Sequence, residues 1–181
     1  MPKLKTELKN AEHLAGRFSS AIGDVVDRIE IAGSIRRRVS KVGDIEIVCI
    51  PKFKQDMFGD RGENLLEIRL QSFMEEGRFS DRPKNGQKYK QFIVSGCSIQ
   101  IDLFITTSEC FPVIKAIRTG PAKFSKLLVT QRSKGGYLEN GYRVSKGRLV
   151  DGAGQLVDLE NERDFFEFMS CGWIAPEDRS A

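Results

Sequence analysis

Two acidic residues within an apolar strand constrain this chain more than any other feature. Asp44 and Glu46 begin the run Asp44-Ile45-Glu46-Ile47-Val48, and strand alternation places both carboxylates on one face, one pleat apart. Two acids on one face of a buried strand are costly unless a cation neutralises them. Because carboxylate oxygens are hard ligands that suit Mg²⁺ or Mn²⁺, the pattern predicts a divalent-metal site.

The residues before this strand predict a phosphate-binding turn. The apolar run from Ile29 to Ala32 has strand character, Gly33-Ser34 indicates a tight turn, and the basic run from Arg36 to Arg38 follows. Free backbone N–H groups, a hydroxyl and positive charge together suit a phosphate. We expect four residues to bind the phosphates of a nucleotide: Gly33, Ser34, Arg37 and Gly43. The plainer alternative is a surface hairpin with solvated arginines and two ordinary strand acids.

A third acid, Asp102, lies in the middle of an alternating run from Ser98 to Ile105, the second strand of a hairpin that turns at Ser95-Gly96. A lone acid among apolar neighbours needs a partner, and a metal shared with a neighbouring strand supplies one. We expect Asp44 and Glu46 to bridge two ions. Asp102 would bind the catalytic ion and accept the proton of an attacking hydroxyl, as two-metal phosphoryl transfer requires.

The composition is that of a soluble globular protein, and its 181 residues suffice for one compact domain or two small lobes. No apolar run is long enough to span a membrane and the N-terminus has no apolar signal core, so we expect a cytoplasmic or nucleoid-associated monomer. His13 is the single histidine, which excludes an imidazole triad or a multi-histidine metal centre. The four cysteines form no Cys-x-x-Cys pair and are expected to be reduced.

The net charge of +4 is mild, but basic residues are concentrated between Lys115 and Arg148, where Glu139 is the single acid. Such a block favours a polyanionic partner, although a solvated helix face is the alternative. We expect these candidates to contact DNA phosphates: Lys88, Lys90, Lys123, Lys126 and Arg132.

Apolar spacing and breaker residues predict an α+β fold. Helices are expected over residues 4–19, within 19–28, over 63–76, from Cys110 to Thr119 with Pro112 in the first turn, and over 122–132. A last helix is expected to be capped by Asn161. A polar loop is expected over 52–62, a short edge strand over 78–81, a turn over 82–86 and a small three-stranded sheet over 142–158.

The order of these motifs resembles the family X DNA polymerases of the polymerase beta type. The resemblance rests on Gly-Ser-x-Arg-Arg at 33–37, Gly-Asp-x-Glu at 43–46 after a five-residue gap, and Asp102 downstream. Thr119-Gly120-Pro121 resembles the family's hinge motif, and residues 173–179 resemble its aromatic–Pro–x–x–Arg terminus. The likeness covers about residues 28–181 and is strongest to the minimal, two-lobe members.

The resemblance implies a nucleotidyltransferase palm over residues 1–109, with a mixed or antiparallel sheet and helices on one side, followed by a small α/β lobe over 110–181 that closes on the nucleotide. It also implies nucleotide contacts from Ile117, Arg118, Gly120 and Ser125. The chain departs from the family at several positions. Glu46 stands where the family more commonly has an aspartate, and Gln100 stands where it often has an arginine that orients the acids. Ile117-Arg118 occupies the place of an aromatic pair that packs on the sugar. Ser125 occupies the place of an asparagine that touches the base edge.

These observations favour a metal-dependent nucleotidyltransferase. The first hypothesis is a template-dependent, gap-filling DNA polymerase that adds dNTPs, and also NTPs, to a primer 3′-OH with two Mg²⁺ or Mn²⁺ ions and releases pyrophosphate. The alternative is untemplated transfer to RNA, a protein or a small molecule. A third hypothesis is a DNA-end-binding or scaffolding protein without enzymatic activity. The presence of all three carboxylates counts against it.

Overall fold

A mixed five-stranded sheet organises the first half of the chain in a computed structural model that describes residues 5–55, 61–96 and 99–180. The spatial order of its strands is β2 (Val26–Ile31), β4 (Asp44–Pro51), β9 (Gln100–Ile105), β8 (Tyr89–Val94) and β7 (Phe79–Asn85). Strands β4 and β9 are parallel, whereas the other neighbours are antiparallel. The remaining short strands form two pairs, β1 (Thr6–Glu7) with β3 (Lys41–Val42) and β5 (Phe53–Gln55) with β6 (Arg61–Asn64).

Two helices cover one face of this sheet, α1 (Leu8–Ile22) and α3 (Leu65–Glu75). Their apolar residues recur at helical spacing and pack with the strand residues Ile45, Ile47 and Leu103 in one buried cluster. Burial of each such side chain contributes about 1.5–3 kcal/mol to folding. Because side chains alternate along a strand, the opposite face is left to the acids at 44, 46 and 102.

The second half of the chain forms its own apolar cluster. It contains helices α4 (Phe111–Thr119), α5 (Ala122–Leu128) and α6 (Glu162–Phe166), and the hairpin of β10 (Arg143–Ser145) and β11 (Arg148–Val150). Helix α4 joins the two halves. Phe111 packs against Val48 and Phe104 on the open face of the sheet, while Ala116 belongs to the second cluster.

The α+β class and most of the predicted helices are confirmed. The last helix begins after Asn161 with a capping box in which Asp164 returns the hydrogen bond. No helix in the described ranges is long and apolar enough to cross a membrane. The cysteines Cys49, Cys110 and Cys171 carry free thiols, and Cys97 lies outside the described residues.

Four local predictions are wrong. There is no second helix within 19–28, because a 3₁₀ turn at Gly23–Val25 leads directly into β2. The predicted polar loop contains β5 and β6, with 56–60 outside the described residues. The turn predicted at 82–86 is mostly part of β7, an edge strand whose irregular register accommodates Pro83. The third strand of the small sheet is reduced to an isolated bridge between Val150 and Leu156.

Candidate active site

The parallel pairing of β4 and β9 brings the acidic residues together. Glu46 is the direct cross-strand partner of Asp102, and Asp44 is the partner of Gln100. Asp102 is an acid, yet only 9% of it is exposed, and its neighbours along the strand are apolar. The expected placement of the three acids on neighbouring strands is thus confirmed, with all three on the face that α1 and α3 leave open.

Gly33 lies directly against Glu46. It begins the short helix α2 (Gly33–Arg36) rather than the expected tight turn, and its φ of +60° favours glycine. A Cβ atom at this position would lie 1.9 Å from Oε2 of Glu46. The backbone of Ala32 also donates to the carbonyl of Glu46 at 2.8 Å. Glycine is therefore required where the α2 backbone crosses the acid pair.

The hydroxyl of Ser34 lies next to this crossing. Its Oγ is buried, and no hydrogen bond to it is formed by the residues that the structure describes. A buried polar group without a partner costs about 1–3 kcal/mol. Gly43, the fourth expected phosphate ligand, precedes β4, and a Cβ atom there would meet no atom within 4 Å.

The electrostatics of the site are dominated by its carboxylates. Burial, followed by the charges of Asp44 and Asp102, raises the pKa of Glu46 from 4.5 to about 7, although Arg37 and Arg118 oppose the shift. The acids are therefore close enough to repel one another. Within the described ranges, no three acidic, histidine or cysteine side chains are already arranged as a set of metal ligands.

Two arginines of the basic run, Arg36 and Arg37, have specific partners in the second half of the chain. Arg37 donates through Nη1 to the backbone oxygen of Thr119 at 2.5 Å. Burial lowers the pKa of Arg37, while the charges of Glu46 and Asp44 act in the opposite direction. The guanidinium expected at the nucleotide's phosphates therefore lies between the acids and the predicted hinge.

Arg36 was not singled out by sequence reasoning, yet it makes more bonds across the two halves than Arg37. Its guanidinium binds both carboxylate oxygens of Glu162, at 2.5 and 3.1 Å, and the hydroxyl of Thr119 at 2.6 Å. Glu162 is buried and also accepts from Arg179 at 2.7 Å. The motif that begins at Gly33 is thus tied to the last helix and to the C-terminal segment.

Asp102 is held by three side chains, of which only Gln100 was considered from the sequence. Its Oδ1 accepts from Nε2 of Gln100 at 2.7 Å, from the hydroxyl of Tyr89 at 2.9 Å and from Nε2 of Gln91 at 3.1 Å. Gln91 is the cross-strand partner of Asp102. The sequence does place Tyr89 and Gln91 on the same face of β8, because they are two residues apart. This spacing does not identify Asp102 as their partner until the strand register is known.

An aromatic and cationic stack lies beside this network. The rings of Tyr89 and Phe104 are stacked with centroids 5.1 Å apart, and the guanidinium carbon of Arg118 lies 4.0 Å from the Phe104 centroid. A cavity of about 850 Å³ opens here, lined by these three residues together with Lys88 and Lys146 among others. This size is typical of pockets that hold a small organic ligand.

The other expected nucleotide ligands lie at the hinge. The hydroxyl of Ser125 donates to the backbone oxygen of Ile117 at 2.5 Å and approaches that of Gly120 at 3.3 Å. A Cβ atom on Gly120 would lie 2.7 Å from the ring of Phe124. Ser125 therefore stabilises the junction between α4 and α5, and a contact of its hydroxyl with a base edge would require these bonds to be exchanged.

The candidate DNA contacts divide into two groups. Lys88, Lys123, Lys126 and Arg132 are exposed, although Arg132 lies 3.6 Å from Glu139. Lys90 is 3% exposed, and its ammonium binds Glu67 and Asn85, each at 2.6 Å. Lys90 is consequently a structural lysine in this conformation, contrary to its expected role on the surface.

No protein-family model matches the chain, and no curated protein sequence is similar enough to indicate a relationship.

Proposed function

We propose that this protein is a metal-dependent nucleotidyltransferase, and specifically a DNA polymerase that extends a primer across a gap in duplex DNA. The observation that carries the proposal is the direct pairing of Glu46 with Asp102 on parallel strands, with Asp44 on the same face. Acids placed at this density on a buried face have a function that outweighs their cost in stability.

The residues of the site fit a divalent metal. The three carboxylates are hard oxygen donors. Burial, together with the charges of Asp44 and Asp102, raises the pKa of Glu46 to about 7, and a bound cation would offset this cost of ionisation. Asp44, Glu46 and Asp102 would hold Mg²⁺ or Mn²⁺. When bound, such ions lower the pKa of an attacking hydroxyl and neutralise charge as the phosphate transfers.

The proposed reaction joins the primer 3′-oxygen to the α-phosphorus of the triphosphate and breaks the bond between that phosphorus and the α,β-bridging oxygen. Pyrophosphate leaves, and the hydroxyl proton passes to Asp102. The unpaired hydroxyl of Ser34 and the N–H of Gly43 would bind the leaving phosphates, and Arg37 would add charge after exchanging its bond to Thr119.

The candidate partner surface consists of exposed basic side chains from both halves. The exposed side chains of Lys88, Lys123 and Lys126 would contact DNA phosphates without reading sequence. In this proposal the first half is the nucleotidyltransferase palm and the second half closes on the base pair, as the resemblance to family X polymerases implies.

The test is a primer-extension panel with Mg²⁺ or Mn²⁺ in which gapped DNA, single-stranded DNA, tRNA and protein serve as acceptors. We expect extension on gapped DNA that follows the template and is abolished by Asp102→Ala but retained by Asp158→Ala, an exposed acid of the second half. Transfer to RNA or protein alone would assign the alternative acceptor. Absence of metal-dependent pyrophosphate release with every acceptor would reject the proposal.

A further inference from the structure

The carboxylate of Asp102 has two oxygens in different environments. Oδ1 accepts from Gln100, Tyr89 and Gln91, whereas no residue in the described part of the chain donates a hydrogen bond to Oδ2. An oxygen that already accepts three hydrogen bonds has little capacity for another partner. The rotation of the carboxylate is fixed by the donors on one side, so that Oδ2 is the oxygen left for a ligand.

Tyr89 is the most constrained of these three donors. Its ring stacks on Phe104 at an interplanar angle of 12°, and its hydroxyl accepts from Nε2 of Gln91 at 3.0 Å while donating to Asp102. Phe104 is in turn held by the guanidinium of Arg118 from helix α4. Among the residues that the structure describes, no ring packs in a comparable way on either glutamine side chain, and an amide can rotate more freely than a stacked phenol.

We propose that Tyr89 is a positioning residue for Asp102: its hydroxyl fixes the carboxylate so that Oδ2 is presented to the reacting groups. The inference rests on the proposed function, since it assigns Tyr89 to the same reaction. Tyr89 does not bind the substrate in this account. It acts through Asp102, as the partners of metal-binding carboxylates do in general.

The substitution Tyr89→Phe separates this role from packing, because it keeps the stacked ring and removes the one hydroxyl. We expect kcat to fall roughly 10- to 100-fold, and the Mn²⁺ concentration for half-maximal activity to rise by a similar factor, as is usual when a partner of a metal ligand is lost. The KM for the nucleotide should change less than about twofold, because the hydroxyl of Tyr89 bonds Asp102 and Gln91 and not, within the described residues, those expected to bind the phosphates.

A second readout needs no activity. Mn²⁺ alone, titrated into the protein and followed by electron paramagnetic resonance, should bind roughly 10-fold more weakly to Tyr89→Phe than to the natural protein. Tyr142→Phe is the matched control, because this ring packs against Phe168 in the second half. Tyr89→Leu, which also removes the ring, should lower the melting temperature further than Tyr89→Phe without a comparable further loss of kcat.

The possible outcomes are distinct. If Tyr89→Phe retains the kcat and Mn²⁺ affinity of the natural protein, Tyr89 is not a positioning residue, even if its melting temperature falls. If the natural protein transfers no nucleotide to any acceptor, the proposed function fails, while the Mn²⁺ titration still decides whether Tyr89 organises Asp102 as a metal ligand.

Discussion

Arg36 and Glu162 form a two-point ion pair although 126 positions separate them in the sequence. The pair links the helix that crosses the acids to the last helix of the chain, and Arg179 binds the same carboxylate from the C-terminal segment. One buried glutamate therefore ties three separate parts of the chain together, in addition to the bond of Arg37 to Thr119 and the packing of Phe111.

The substitution Glu162→Gln should destabilise the protein by about 3–5 kcal/mol, because it leaves two guanidinium groups without a countercharge. Chemical denaturation at neutral pH measures this change in the free energy of unfolding. Glu167→Gln, an exposed glutamate of the same segment, is the control and should change stability by less than about 0.5 kcal/mol. Equal stability of the two variants would show that the Glu162 network is dispensable.

The same ion pair predicts that the stability of the protein depends on pH. Burial tends to raise the pKa of Glu162, but the hydrogen bond from Arg36 and the charges of Arg179 and Arg36 outweigh it and lower the pKa below 4.5. A carboxylate with a lowered pKa stabilises the fold above its ordinary value, and this stabilisation is lost as the pH falls. The destabilisation caused by Glu162→Gln should therefore be full at pH 7 and shrink below pH 4.5.

The pH dependence of stability that we expect from Glu46 has the opposite sign to that of Glu162. The pKa of Glu46 is raised from 4.5 to about 7, so the folded state loses stability as the pH rises through this interval in the absence of metal. In EDTA at pH 8, Glu46→Gln should be more stable than the natural protein by up to about 3 kcal/mol, with no difference below pH 4.5. With Mg²⁺ at pH 8, the natural protein should instead be more stable than Glu46→Gln. Thermal melts of both proteins at pH 8 and below pH 4.5, with and without metal, measure these differences. A stability gain that is independent of pH would contradict the interpretation.

Gly33→Ala should abolish activity and lower stability, because the new Cβ would collide with Glu46 and the backbone has a positive φ. Gly16→Ala is the matched control in α1, where a Cβ meets no atom within 4 Å, and it should stabilise the helix by about 0.5–1 kcal/mol. Denaturation and primer extension measure both variants. Full activity of Gly33→Ala would show that the α2 backbone is not held against Glu46.

The replacement of the aromatic pair by Ile117-Arg118 predicts weak selection of the sugar. The ratio of kcat/KM for a dNTP to that for the matching NTP should stay below about 100, the limit of discrimination without a dedicated polar contact. Single-nucleotide insertion into gapped DNA measures this ratio. A preference for dNTPs of about 10,000-fold would contradict it, because such a value requires recognition of the sugar hydroxyl itself.

The acidic site could be predicted from sequence because it combines two local signals. Alternation alone places Asp44 and Glu46 on one face, and the apolar surroundings of Asp102 imply a partner. The parallel register that pairs Glu46 with Asp102 is a property of the sheet. A slip of one residue would place Asp102 on the opposite face from Glu46, so the sequence predicts the acids but not their direct pairing.

Side-chain partners across distant elements could not be predicted. The bond from Tyr89 to Asp102 depends on the register of two antiparallel strands, and the ion pair of Arg36 depends on a helix far along the chain. Pro83 predicts a turn because proline lacks a ladder donor, yet an edge strand with irregular register has room for it. Lys90 appeared solvent-facing because a pattern of charge does not reveal that Glu67 of α3 covers it.

The proposed function requires Asp44, Glu46 and Asp102 to hold divalent metal jointly, beside a nucleotide. A crystal structure with Mn²⁺ and a non-hydrolysable dNTP tests this requirement, because anomalous scattering locates the ions without reference to the protein. We expect Mn²⁺ bound by all three carboxylates, with the triphosphate next to Ser34. Mn²⁺ elsewhere, or a nucleotide bound away from these acids, would contradict it.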